Sequence, residues 1–138
     1  MNESIFNRLK TEVIKCQKTQ DVPVAAILLK EEKIVASGRN IREGKKDISG
    51  HAEIKVINKI FKKQKNKNLS EYQMVVTLKP CIMCIGAIEQ VNIKNVYYYL
   101  ENEKCNYNKI DTKINFIKIE NNGEFFKTEI QQFFKRLR

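Results

Sequence analysis

The chain has 138 residues, 42% of them hydrophobic, and a net charge of +10, which fits one globular domain able to bury a core and excludes a disordered or fibrous chain. Its longest apolar run, Val22 to Leu29, is far too short to cross a membrane, and Met1-Asn2-Glu3-Ser4 lacks the basic-then-apolar opening of a signal peptide. Positive charge is drawn to phosphate backbones, but 21 lysines against 5 arginines is also what an A+T-rich genome gives, so charge lends only mild support to an RNA partner.

In chain order, Ile5, Leu9, Val13 and Cys16, flanked by Phe6 and Ile14, make a helical stripe over about Glu3 to Thr19. Pro23 ends it by restricting the residue before it. Val24 to Leu29 reads as a buried strand, Lys30 to Lys33 as a polar turn, and Ile34 to Arg39 as the hairpin partner. Asn40 through Ser49 is a polar loop. A helix is expected from about His51 to Lys62, burying Ile54, Val56, Ile57, Ile60 and Phe61. The lysine tract from Lys62 to Asn68 reads as a solvated surface run. Gln73 to Thr77 is a strand that delivers the chain to a helix over about Cys81 to Gln90, packed through Ile82, Ile85, Ala87 and Ile88. Val96 to Leu100 is an aromatic-rich strand, Glu101 to Asp111 is polar with weak structure, and Ile114 to Ile119 is a last strand. Phe126, Ile130, Phe133, Phe134 and Leu137 then stripe a final helix.

This order predicts an α/β fold: a mixed five-stranded sheet between two layers of helices, in one domain over residues 1–138 with no internal repeat. The crossover through the cysteine helix should be parallel and right-handed. Both helices that follow the loops then start at the same sheet edge, which brings His51 to Cys81 and Cys84.

That convergence has chemical content. His51 is the only histidine, and Glu53 follows it by two positions. Pro80-Cys81-Ile82-Met83-Cys84 follows after a 26-residue gap, positions 54 to 79. One imidazole nitrogen and two thiolates make three protein ligands for Zn²⁺. Structural zinc usually has four, whereas three leave a position open for water. Glu53 is then placed to carry that water's proton. Pro80 suits the first position of a helix, and Cys81 and Cys84, one turn apart, can face one point. A helix N-terminus also favours the thiolate. Residues i and i+2 do not share a helix face, so His51 is expected at the helix entry, before the backbone is regular. A lone buried histidine is more often a satisfied polar group, and a lone C-x-x-C has a thioredoxin-like redox pair as its rival. Together, H-x-E…P-C-x-x-C is the signature of zinc nucleobase deaminases. Cys16 and Cys105 read as ordinary thiols, and four cysteines used this way fit a reducing cytoplasm.

Val22-Pro23-Val24-Ala25-Ala26, Gly38-Arg39-Asn40, His51-Ala52-Glu53-Ile54 and Thr77 through Ile88 resemble the bacterial tRNA-specific adenosine deaminases. The resemblance covers essentially the whole chain and includes the aromatic-then-basic ending Phe133 to Arg138. It implies a cytidine-deaminase-like α/β/α fold, one zinc per subunit and a homodimer. It also implies conversion of adenosine to inosine at the wobble position of an arginine tRNA anticodon. On that match His51, Cys81 and Cys84 hold zinc, zinc-activated hydroxide attacks C6, and Glu53 is the catalytic proton shuttle. Asn40, Ala52, Phe134 and Arg138 match substrate contacts on the anticodon stem-loop. The chain departs from the family at Lys79, where glutamate is usual, at Gly50, where alanine is usual, and over Glu101–Asp111, which lacks the usual small-residue loop. None of these removes a ligand or the proton shuttle.

Two other readings compete. A deaminase of a free base, nucleoside or nucleotide would use the same chemistry on another substrate. A zinc-stabilised binding module without catalysis would have no need of Glu53.

Overall fold

The computed structural model describes residues 2–41, 50–64 and 67–137. Helix α1 (Glu3–Thr19) starts where the Asn2 side chain accepts from the Ile5 amide at 3.0 Å, a short polar cap for an otherwise orphaned donor. It stops at Gln20, which turns left-handed at φ 59°. Strands β1 (Ala25–Lys30) and β2 (Lys33–Arg39) form the expected hairpin, closed by Glu31 and Glu32 at φ 52° and 67°. Then come α2 (Ala52–Gln64), β3 (Tyr72–Leu78), α3 (Ile82–Gln90), β4 (Asn95–Leu100), a 3₁₀ turn (Tyr107–Lys109), β5 (Asn115–Lys118) and α4 (Gly123–Arg136).

The five strands lie in the order β2-β1-β3-β4-β5. β1 is antiparallel to both neighbours, while β3, β4 and β5 run parallel. The sheet is therefore mixed, and α3 is the crossover that a parallel β3–β4 pair requires.

Strand alternation sends side chains to two cores. Ala26, Leu28, Met74, Val76 and Val96 meet Val56, Ile60, Ile85 and Ile88 of α2 and α3. Ala25, Ile27, Leu29, Val75 and Tyr99 meet Ile5, Leu9 and Val13 of α1 and Phe126 of α4. This is the predicted α/β/α sandwich, each face sealed by a helical stripe. The stripe on α2 is narrower than the sequence implies: Val56, Ile57 and Ile60 are buried, but Ile54 and Phe61 only half so.

Because β2 and β3 are both antiparallel to β1, they run the same way. Their carboxyl ends lie at one edge of the sheet, and α2 and α3 open there. Ligand sites of open α/β sheets lie outside the carboxyl ends of strands.

Candidate functional site

His51 sits immediately before α2, and its carbonyl accepts the Lys55 amide at 3.0 Å. It thus stands at the entry of α2, as the spacing to Glu53 predicts. Gly38 of β2 allows this close start. A Cβ there would come 3.1 Å from Val56 and 3.3 Å from the Lys55 Cβ, tighter than the helix could accept without giving way.

Cys81 caps α3, with φ −75° and ψ 173°, and Ile82 is the first helical residue. Pro80 therefore lies one position before the cap, outside the helix, rather than at the first helical position. The physical reason is Cys81 itself: its side chain makes no capping bond and turns instead to His51. Cys84 follows one turn later and is fully buried. Ile82, expected to pack, is 67% exposed, because the turn aims Cys84, Ile85 and Ile88 inward.

The three side chains converge. His51 Nδ1 lies 3.3 Å from Cys84 Sγ and 3.5 Å from Cys81 Sγ, and the three candidate ligand atoms all lie within 4.8 Å of one another. Tetrahedral zinc with ordinary bond lengths separates nitrogen from sulfur by about 3.6 Å, so the donor set fits. Among the described residues no fourth His, Cys, Asp or Glu joins the cluster. The Cys81 thiol is held down at about 3, chiefly by its hydrogen bond with Cys84 and also by His51. The Cys84 thiol is pushed up, by that shared hydrogen bond first and by burial next. Zinc takes cysteine as thiolate, so an ion bound there would displace protons from the pair.

Glu53, 4% exposed, sits on the first turn of α2. Burial pushes its carboxyl up to about 7, against the opposing pull of its own backbone amide and of His51. A carboxyl poised near neutrality suits proton transfer in both directions.

A cavity of about 720 Å³ opens over this cluster. Asn40, His51, Ala52, Glu53 and Cys81 line its inner end. Asn40 is nearly buried, its amide bonded to the Val24 carbonyl at 3.0 Å and its side chain to the Val22 carbonyl at 3.4 Å. The cavity runs outward past Glu101, Asn102, Lys104 and Lys118 to Lys127 and Phe134 of α4. The structure therefore brings seven of the eight expected site residues together; Arg138 lies outside the described residues. Lys127, Ile130 and Gln131 are cavity residues that the sequence reading missed. Their spacing from Phe134, at i, i+3, i+4 and i+7, could have marked them as one helix face.

Comparison with known proteins follows the same line. Residues 1–138 match the MafB19-like deaminase family. The chain belongs to that family. This deaminase is 30% identical over 133 residues to a protein named tRNA-specific adenosine deaminase from Rickettsia felis, covering 86% of this chain and 90% of the relative. Coverage of other relatives is lower: the chain spans 8% of a chloroplastic tRNA(adenine(34)) deaminase from Arabidopsis thaliana and 58% of a tRNA-specific adenosine deaminase from Streptococcus pyogenes. Among solved structures, a protein from a study of tRNA:A34 deaminases superposes with a TM-score of 0.74 at 22% identity, covering 83% of this chain and 95% of that one. Guanine deaminase from Bacillus subtilis superposes at 0.66 with 25% identity, covering 96% and 94%. The enzyme is thus a deaminase of the cytidine-deaminase-like fold, with a His/Cys/Cys cluster that could hold a metal ion.

Proposed function

We propose that this chain, as one domain over residues 1–138, deaminates adenosine to inosine at the wobble position of a tRNA anticodon, that of an arginine tRNA. The observation that carries this reading is the continuity of the cavity. Its lining runs from the buried Glu53 and half-buried His51 to the exposed Lys127 and Phe134, more residues than one free base would engage. Lysines interleaved with an exposed ring suit a single-stranded loop, whose bases can be splayed and stacked. The names of the relatives, and coverage of 90% of one of them, support the same substrate.

In this reading His51, Cys81 and Cys84 hold zinc, one per subunit of a cytoplasmic homodimer. Zinc bound there supplies Lewis acidity that makes water a usable nucleophile near neutral pH. The chain's own residues do the rest. Asn40 and Ala52 orient the flipped nucleoside at the inner end of the cavity. The Glu53 carboxylate takes a proton from the attacking water and passes it to ring N1. It then takes the remaining proton from the new C6 hydroxyl and delivers it to the exocyclic amine. A C6–O bond forms, the C6–N6 bond breaks, and ammonia leaves. Phe134 and Arg138 hold the anticodon loop.

The test is to incubate purified protein separately with total tRNA and with free nucleosides and bases, then measure the products. Inosine in tRNA alone is the expected result. Turnover of guanine, cytosine, cytidine or adenosine in free form, with none in tRNA, would favour the free-substrate reading that the guanine deaminase likeness raises.

A further inference from the structure

The cavity wall formed by residues 101–104 leaves the sheet edge without regular structure, yet it is tied down from one point. Lys79, the last residue but one before Cys81, has a side chain only 13% exposed. Its ammonium lies 4.0 Å from the Tyr107 ring centroid and 5.0 Å from those of Tyr98 and Phe116. It also pairs with Glu101 at 3.8 Å, and Glu101 accepts from the Tyr98 hydroxyl at 2.7 Å. Tyr107 in turn donates to the Pro80 carbonyl at 2.7 Å and reaches that of Lys79 at 3.1 Å. Asn102 donates to the Lys79 carbonyl at 3.4 Å.

A lysine largely out of water among three ring faces needs the rings and one carboxylate to replace its hydration. Each of those groups belongs to the sheet or to the 101–107 segment. Glu101 begins that segment and Tyr107 ends it, and between them Asn102, Glu103 and Lys104 face the cavity.

We propose that Lys79 is a positioning residue that staples both ends of the 101–107 segment and so fixes the cavity wall against which nucleotides beside the target base lie. The second half of that statement rests on the polynucleotide reading above; the staple does not. Lys79 also lines the cavity, but its ammonium is engaged by the three rings and Glu101. Its effect is on how wide the cavity is and how well a loop seats in it.

Lys79→Met and Lys79→Arg, in the full zinc-loaded chain, test this. Methionine fills the apolar box and keeps the fold while losing the charge; arginine keeps a cation over the rings and beside Glu101. In Lys79→Met, amides of residues 101–107 should exchange hydrogen on the order of tenfold faster, and KM for an anticodon hairpin should rise about tenfold with kcat within about twofold. Zinc per chain should not change. Lys79→Arg should restore both exchange and KM. Unaltered exchange in Lys79→Met, or an arginine variant as impaired as the methionine one, would overturn the staple. Should the wild-type chain fail to deaminate RNA, the substrate reading falls and the exchange measurement still decides the staple.

Discussion

Glu53→Gln tests the proton-carrying role proposed for Glu53 apart from everything around it. Glutamine keeps the shape of a side chain that is 4% exposed, and its carbonyl oxygen can still accept from the backbone amide. It removes the group that can accept a proton from water and return it to the base. General acid–base catalysis contributes about 10²- to 10⁴-fold. At 1.36 kcal/mol per tenfold, the barrier should therefore rise by roughly 3 to 5 kcal/mol. Stability should move little. Burial holds the carboxyl up to about 7, so its ionised form already costs the fold roughly 3 kcal/mol relative to an exposed glutamate, and a neutral amide avoids that. The assay is single-turnover inosine formation on an anticodon hairpin, with zinc content and thermal melting measured in parallel. The expected result is a loss of at least about a hundredfold in rate, zinc still bound, and a melting temperature within about 5 °C of wild type. A variant that keeps more than about a tenth of the wild-type rate would refute the role given to Glu53.

Phe134→Ala removes the ring at the outer end of the cavity; KM for RNA should rise by a factor corresponding to about 1–3 kcal/mol, the worth of one stacked base, and steady-state kinetics on a hairpin would show it. Phe126 is fully buried against Phe6, Tyr99 and Phe125, so Phe126→Ala should cost about 3–5 kcal/mol in urea unfolding. Burial pushes the Tyr99 hydroxyl up to about 12 from the ordinary 10. The folded state keeps a proton that the unfolded chain releases, so stability should fall between pH 10 and 12 by about 1.4 kcal/mol per pH unit for this residue. Denaturant midpoints across that range, with Tyr99→Phe lacking this share of the fall, check it. Chelation should lower the melting temperature without unfolding the chain, as calorimetry before and after dialysis would record.

Most of the fold was legible because its signals are local and periodic. The stripe on α1, the apolar runs of β1 and β3, and the Pro-Cys-x-x-Cys after a strand each report one element by itself. The metal cluster was legible for the same reason: His51 and the two cysteines are the residue types zinc takes, at spacings that two helix starts can bring together. What the sequence hid is contact between segments that carry no period. Glu101 to Asp111 looks featureless as a string, yet Tyr107 packs there over Lys79 and bonds two carbonyls. Ile82 looks like core and is not, since a residue that opens a helix can face outward while its neighbours at the next turn face in. Gly38 gave no sign that its missing Cβ lets α2 approach β2.

The cluster differs in kind from a site whose ion builds the fold. Its three ligands sit on the entries of two helices that are already fixed by apolar burial: Val56, Ile57 and Ile60 on α2, and Ile85 and Ile88 on α3. Fully burying one such side chain is worth about 1.5–3 kcal/mol, so five of them outweigh any single ligand contact and hold the helix ends in place before an ion arrives. His51 Nδ1 lies 3.3 Å from one sulfur and 3.5 Å from the other. A zinc finger lacks such a core and unfolds when its metal is taken. Here the core does the folding, and on the proposed reading the three donors leave an ion one position for water. Stability and reactivity are thereby assigned to different residues, which is why a chelator should abolish turnover while costing the fold only its ligand-binding share.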